Sequence, residues 1–430
     1  MITQPEQRMT STPGSKLADL PQVSRLAPEL RRDIAVVSTV LPFKVNNYVL
    51  DELIDWSAAP DDPIFRLTFP HRDMLPDSMY QHVAAMLDAG ANRTELRAAV
   101  EPLRKELNPH PGDQMEKNVP GDDEGQLSGV QHKYRETALV FPANGQTCHS
   151  YCGYCFRWAQ FVGISELKQQ VDRPERVFGY LRAHPEVSDV LLTGGDPMIM
   201  KTQLLARYVE PLLEPGFEHV RNVRFGTKAL SYWPYRFTTD PDADALLRLF
   251  ERLVAMGKHV AVMAHFSHPQ ELRTDAVQEA IRRIKGTGAV IRAQAPIVKH
   301  VNDNADAWAT MWRELVRVGV VPYYMFVERD TGARDYFALP LYQVLDIYRD
   351  AISQVSGLER TARGPVMSAS PGKVVLDGTA EVGGEKVFVC RFLQARDPSK
   401  VNRPFFAAYD DQALWFDDLK PAFGRPDFLD

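Results

Sequence analysis

Cysteine is scarce in this 430-residue chain, with four in all, too few and too unevenly placed for a disulfide framework. No stretch approaches the ~20 consecutive apolar residues of a membrane-spanning helix, so no membrane association is expected. The first residues, Met1-Ile2-Thr3-Gln4-Pro5-Glu6, lack the positive and apolar regions of a secretory signal, and a cytoplasmic location is expected. There is no excess of positive charge either. The formal net charge is -6, and no basic patch interleaved with aromatics points to nucleic acid. With 44% hydrophobic and 25% charged residues, the composition is that of an ordinary globular protein. The length fits two or three domains, or one α/β barrel with extensions.

Three of the four cysteines fall in one stretch, Cys148-His149-Ser150-Tyr151-Cys152-Gly153-Tyr154-Cys155, with spacing C-x3-C-x2-C. Soft thiolates so close together suit three irons of a [4Fe–4S] cluster. Cys390 is far away in sequence, so the fourth iron has no cysteine and stays open to a substrate or cofactor. A structural zinc site is the alternative, but it wants four closed ligands, and His149 adjoins Cys148 too closely to complete one.

Around this loop the chain changes texture. Residues 1–30 are polar with scattered Pro, Ser and Gly, and read as a loose arm. Residues 31–131 read as an extension, with amphipathic helices over Asp77–Leu87 and Arg93–Leu107 and a turn-rich loop over 108–131. From Thr137 short apolar runs alternate with helical patterns. Strands are expected over Thr137–Pro142, Asp189–Thr193, Val220–Thr227, Lys258–Phe266, Ala289–Ala295 and Val321–Val327. Helices are expected over 172–183, 202–213, 241–255, 275–286, 305–318 and 341–355. Six such units predict an α/β fold, a partial (β/α)6 TIM-type barrel over residues 132–356, with active residues at the C-terminal strand ends. Residues 357–430 are expected to carry a small β hairpin, Lys373–Leu376 with Lys386–Phe392, and an aromatic tail.

Several of those strand ends hold reactive residue types. Gly194-Gly195-Asp196-Pro197 closes the second strand, where glycines allow close backbone approach and a carboxylate can receive an ammonium group; Gly-Gly-Asp is also a common turn. His265-Phe266-Ser267-His268 ends the fourth strand and Gln294 the fifth, where either type can also serve locally. Arg157 follows the last clustered cysteine by two residues and could equally sit in a surface ion pair. Lys373 stands after a Ser370-Pro371-Gly372 turn, where it can form a Schiff base to an aldehyde cofactor or remain a solvated turn lysine.

The cysteine spacing resembles the radical S-adenosylmethionine family. A longer set of segments resembles lysine 2,3-aminomutase and its relatives, which also use pyridoxal phosphate. These segments are Pro42-Phe43-Lys44-Val45, Val119-Pro120-Gly121, His132-Lys133-Tyr134, Leu192 to Asp196, Val223 to Thr227, His265 to Pro269, Gln294, Val301-Asn302-Asp303 and Pro322-Tyr323-Tyr324, in the family's order. The resemblance implies a [4Fe–4S] cluster on Cys148, Cys152 and Cys155, and S-adenosylmethionine against Gly194, Gly195, Asp196, His265 and Gln294. It implies pyridoxal phosphate on Lys373 near Lys133 and Tyr134, and the substrate α-carboxylate on Arg157. It further implies an external one-electron reductant of flavodoxin or ferredoxin type, and a homo-oligomer.

Three departures stand out. The glycine run before the cofactor lysine is here Ser368-Ala369-Ser370-Pro371-Gly372, and the cysteines that bind structural zinc in the family are absent, so no zinc is expected. The two aspartates that hold the lysine ammonium fall on Arg329 and Val366. The expected reaction is therefore a shift of the α-amino group of an L-α-amino acid to the β-carbon, with Arg329 favouring an acidic or neutral substrate such as glutamate or aspartate. Glu328 and Asp330 flank Arg329, and a one-residue slip in the strand would exchange faces and restore lysine. A radical enzyme of different outcome (an epimerase or lyase) and a non-enzymatic iron–sulfur module are the other readings.

Overall fold

The strand at Val321–Val327, here β9, shows how the centre of the molecule is made. Its sequence Val-Pro-Tyr-Tyr-Met-Phe-Val is apolar on both faces, which suits a parallel strand covered on both sides. The computed structural model describes residues 7–108, 117–163 and 168–429. It contains an eleven-stranded sheet.

Besides a two-residue pair, Gly121–Asp122 with Gly125–Gln126, the strands in chain order are β1 (Ser11–Pro13), β2 (Lys44–Asn46), β3 (Val130–Tyr134), β4 (Thr137–Val140), β5 (Asp189–Leu192), β6 (Asn222–Thr227), β7 (His259–His265), β8 (Val290–Ile297), β9, β10 (Arg363–Ser368), β11 (Gly372–Val382), β12 (Glu385–Ala395) and β13 (Pro404–Ala408). Strands β4 to β10 pair in sequence order and all in parallel. Antiparallel β3 flanks β4, and antiparallel β11, β12 and β13 flank β10. The pairings run in one line from β3 to β13. The sheet is open, and no closed barrel forms among the described residues.

Each parallel crossover carries a helix. The helix Ala243–Ala255 buries Leu246, Leu249, Phe250 and Leu253 against the sheet and leaves Arg248, Glu251 and Arg252 to solvent. It ends before Gly257, whose φ of 86° is the left-handed conformation that turns the chain into β7. The helices Asp275–Gly286 and Ala305–Arg317 begin on caps, with Thr274 and Asn304 accepting from the backbone N–H groups of Val277 and Ala307.

Several expectations need correction. The helix expected over 202–213 is broken into Thr202–Ala206 and a short turn Glu210–Leu213, because Pro211 has no N–H to continue it. The small hairpin is a pair of eleven-residue strands, β11 and β12, extended by β10 and β13. Pro365 concealed β10 as a strand, and the polar run Gln131-His132-Lys133 concealed β3. Residues 11–24, expected as part of a loose arm, pair β1 with β2 and bury Leu17 and Val23. Residues 109–116 of the expected loop lie outside the described residues. No helix among the described residues is long and apolar enough to cross a membrane.

Candidate active site

The C-terminal ends of the parallel strands open into a cavity of about 380 Å³, partly open to solvent. Every site residue expected from sequence lines it: Cys148, Cys152 and Cys155, Arg157, Gly194 to Asp196, His265, Gln294, Arg329, Lys133 and Tyr134, and Lys373. Cys390 does not; it lies on β12 in the core with no exposed surface. These residues are up to 240 positions apart, and only the order of strands in the sheet brings them together.

The cysteine loop is irregular backbone pinned from outside. The Tyr151 N–H donates to Lys44 O (2.8 Å) and the Gly153 N–H to Leu67 O (2.7 Å), both from the N-terminal extension. Lys44 Nζ donates to Cys148 O at 2.7 Å and to Thr147 Oγ1 at 3.2 Å. Buried Asn46 donates from its backbone to Ser150 Oγ (3.0 Å) and from Nδ2 to Tyr232 O (2.8 Å). Burial pushes all three clustered thiols up, and near Cys148 the Lys44 ammonium pulls the other way. Among the described residues no three His, Cys, Asp or Glu side chains converge as a single metal ion would require. Three thiols on one wall suit a cluster, in which each thiolate takes a different iron.

Asp196 is buried and already bonded. Its carboxylate accepts from the N–H of Met198 (2.9 Å), the Thr227 hydroxyl (2.7 Å) and the N–H of Lys228 (2.9 Å), tying the ends of β5 and β6 together. The glycines beside it also have a different reason. A Cβ on Gly195 would stand 2.4 Å from Thr147 N, so the close approach is to the cysteine loop itself. The motif therefore holds the loop's entry against β5.

His265 and Gln294 are register partners on β7 and β8, with Gln294 Nε2 3.0 Å from His265 Nε2. Burial, then Lys228, holds the imidazole down to about 4, so the ring is neutral and Nε2 accepts the Gln294 N–H. Lys228 pairs with the fully buried Glu271 at 2.6 Å. Arg157 stacks over Phe141, 4.3 Å to the ring centroid, and makes no ion pair among the described residues. A guanidinium so placed suits an incoming carboxylate.

At the other end, Lys373 opens β11 opposite Ser368 and lies 4.8 Å from the Tyr324 ring centroid. Burial, then Arg224 and Arg363, holds its amine down to about 7. Lys133 is likewise held to about 7 by burial, then Arg396, and donates to Ala369 O. Arg396, which sequence reasoning missed, donates to Ser370 O at 2.9 Å and lines the same wall. Lys133, Lys373 and Arg396 around the Tyr134 and Tyr324 rings make a cationic, aromatic recess that fits an anionic aromatic cofactor.

Glu328, Arg329 and Asp330 all line the cavity just beyond β9, so the flanking carboxyls are present together with the arginine. The Arg329 guanidinium lies 5.5 Å from the Phe156 ring centroid and 5.6 Å from that of Trp415. Val366 is buried in a small cluster with Tyr324 and Val375, away from the cavity lining. Lys44 and Asn46 were also missed as site residues. Lys44 stands in the Pro42–Val45 segment, but the partners of both lie more than 100 positions away, so the sequence does not show what they hold.

An α/β sheet with reactive side chains gathered at the C-terminal edge of its parallel strands is the arrangement of an enzyme. A protein of Aquifex aeolicus (strain VF5) named "Putative L-lysine 2,3-aminomutase" is 32% identical over 410 residues, covering 94% of this chain and 96% of the relative. L-lysine 2,3-aminomutase of Bacillus subtilis (strain 168) is 25% identical over 319 residues, covering 70% of this chain and 64% of the relative. The chain belongs to the lysine 2,3-aminomutase family. No family model matches it. Among solved structures, a radical SAM methyltransferase from Sphaerobacter thermophilus aligns with a TM-score of 0.38 and 13% identity, covering 63% of this chain and 89% of that one; at that level the likeness carries no argument.

Proposed function

We propose that the protein is a radical S-adenosylmethionine and pyridoxal-phosphate-dependent 2,3-aminomutase that moves the α-amino group of an acidic or neutral L-amino acid to its β-carbon. The observation that carries this reading is the single cavity shared by the three thiols, the unpaired guanidinium of Arg157 and the low-pKa amine of Lys373. The reading takes the β/α units at 132–356 as a partial (β/α)6 barrel, with an extension at 31–131 and a further segment from 357.

When bound, the cluster with S-adenosylmethionine supplies a carbon radical, and pyridoxal phosphate supplies an aldehyde on a conjugated ring. Cys148, Cys152 and Cys155 hold the cluster. Neutral His265, fixed by Gln294, and the backbone at Gly194-Gly195 line the S-adenosylmethionine side. Lys373 offers an uncharged amine to the aldehyde, while Lys133 and Arg396 face the cofactor's phosphate. Arg157 takes the substrate α-carboxylate in a bidentate grip and fixes the β-carbon's position relative to the radical source. Arg329 supplies positive charge at the side-chain end of the cavity, where a substrate ammonium meets like-charge repulsion. An external low-potential reductant, a cytoplasmic setting and a homo-oligomer complete the reading.

The test is anaerobic incubation of the reconstituted full chain with a panel of α-amino acids, with products identified by mass spectrometry. A β-amino acid of unchanged mass from glutamate, aspartate or a neutral substrate supports the reading. Preferential turnover of lysine refutes its substrate class. S-adenosylmethionine cleavage without any amino shift refutes the reaction.

A further inference from the structure

Glu328 follows directly on β9 and is 4% exposed, yet it lines the cavity. Neither of its carboxyl oxygens has a hydrogen-bond partner among the described residues. Buried polar groups are nearly always paired, so an unpaired carboxyl facing a cavity points to a ligand. Asp330, 7% exposed, lines the same end. Burial, then Asp330, pushes the Glu328 carboxyl well above the usual range, against the opposite pull of Arg334 and Arg329. Burial and the neighbouring Asp330 thus favour the protonated form of Glu328.

The wall around Glu328 narrows the ligand's chemistry. The charged groups acting on Glu328 are Asp330, Arg334, Arg329 and Asp335, and the rest of the cavity is lined by Lys133, Arg157, Lys373 and Arg396 with Asp417 and the already bonded Asp196 carboxylate. An ammonium end would need Glu328 ionised against its burial and would itself meet the repulsion of Arg329 and Arg334. A carboxylate end needs only a donor, which a protonated carboxyl has.

We infer that Glu328 acts as a neutral carboxyl that donates its O–H to the side-chain carboxylate of an acidic amino acid, beside Arg329, and so determines specificity. This rests on the aminomutase reading above. Glutamine reproduces the shape of a protonated glutamate and keeps a donor, so it discriminates a neutral role from an anionic one.

The experiment compares the reconstituted full-length wild type, Glu328→Gln and Glu328→Leu on glutamate, aspartate, alanine and lysine, with iron content and thermal melting as folding controls. Glu328→Gln should hold kcat/KM for the acidic substrate within about threefold, whereas Glu328→Leu should raise its KM about 10- to 100-fold, as loss of a hydrogen bond to a charged group does. If Glu328→Gln loses acidic turnover as Glu328→Leu does, or if wild type turns over lysine and Glu328→Gln does not, the inference is overturned. A wild type that shifts no amino group refutes the aminomutase reading and the inference with it; acidic turnover in wild type with a failing Gln variant refutes the inference alone. If the Leu variant does not fold, the Gln comparison still decides.

Discussion

The side chain most open to a quantitative test is Lys373. Its Nζ lies over the rings of Tyr324 (4.8 Å) and Tyr134 (5.9 Å) and makes no hydrogen bond among the described residues. Burial, aided by Arg224 and Arg363, brings its pKa from 10.5 to about 7. The sign follows from the charge: burial disfavours the ammonium, so the neutral amine appears as pH rises through about 7 and is lost below it. At about pH 7.5 an ordinary lysine is roughly one-thousandth neutral and this one roughly three-quarters, a gain of roughly 700-fold in nucleophilic form. The perturbation is pyridoxal phosphate added to the full chain between about pH 5.5 and 9.5, trapped with borohydride and quantified by peptide mass spectrometry. Label should accumulate on the peptide carrying Lys373 with a midpoint near 7, and Lys373→Ala should lose it. Lys133 is the internal rival, with a pKa also near 7. It differs in donating to Ala369 O, which occupies its amine. Label on Lys133, Lys228 or Lys386, or a midpoint near 10, would refute the reasoning.

Replacing Cys148, Cys152 or Cys155 by alanine should reduce reconstituted iron well below about four per chain and abolish S-adenosylmethionine cleavage. Cys390→Ala, in the core, should keep the iron and lower stability by only about 1 kcal/mol, read by thermal melting. Gly195→Ala places a Cβ 2.4 Å from Thr147 N and 2.5 Å from Thr147 O, so it should displace the cysteine loop. That overpacking should cost about 3 kcal/mol, with weakened S-adenosylmethionine binding measured by calorimetry. Lys44→Met removes the 2.7 Å charged bond to Cys148 O and leaves that carbonyl without its donor. It should destabilise the loop by about 1.5–3 kcal/mol and speed iron loss to a chelator; an unchanged rate would show that Lys44 does not hold the loop.

Local signals carried much of the reading because they need only near neighbours. The C-x3-C-x2-C loop, the apolar run of β9 and the amphipathic helix at Ala243–Ala255 are each complete within a short stretch. The sequence by itself determined the order of the six βα units, the cysteine loop and the resemblance that ran in family order along the chain. Hydrophobic period and ligand spacing are properties of the chain before it folds.

Tertiary structure decided what these groups face. Asp196, read as a carboxylate able to receive an ammonium group, is bonded to Thr227 and to the N–H groups of Met198 and Lys228, partners supplied partly by the next strand. Lys44 reaches Cys148 across 104 positions, and Arg396 reaches Ser370 beside Lys373. Around Arg329 a strict alternation of faces predicts that either the arginine or its neighbours point inward. Beyond Val327 the strand has ended, its two-residue period no longer applies, and Glu328, Arg329 and Asp330 all reach the cavity. The pKa values follow the same division: an amine near 7 at Lys373 and a raised carboxyl at Glu328 come from burial and neighbouring charge, which exist only once the sheet has formed.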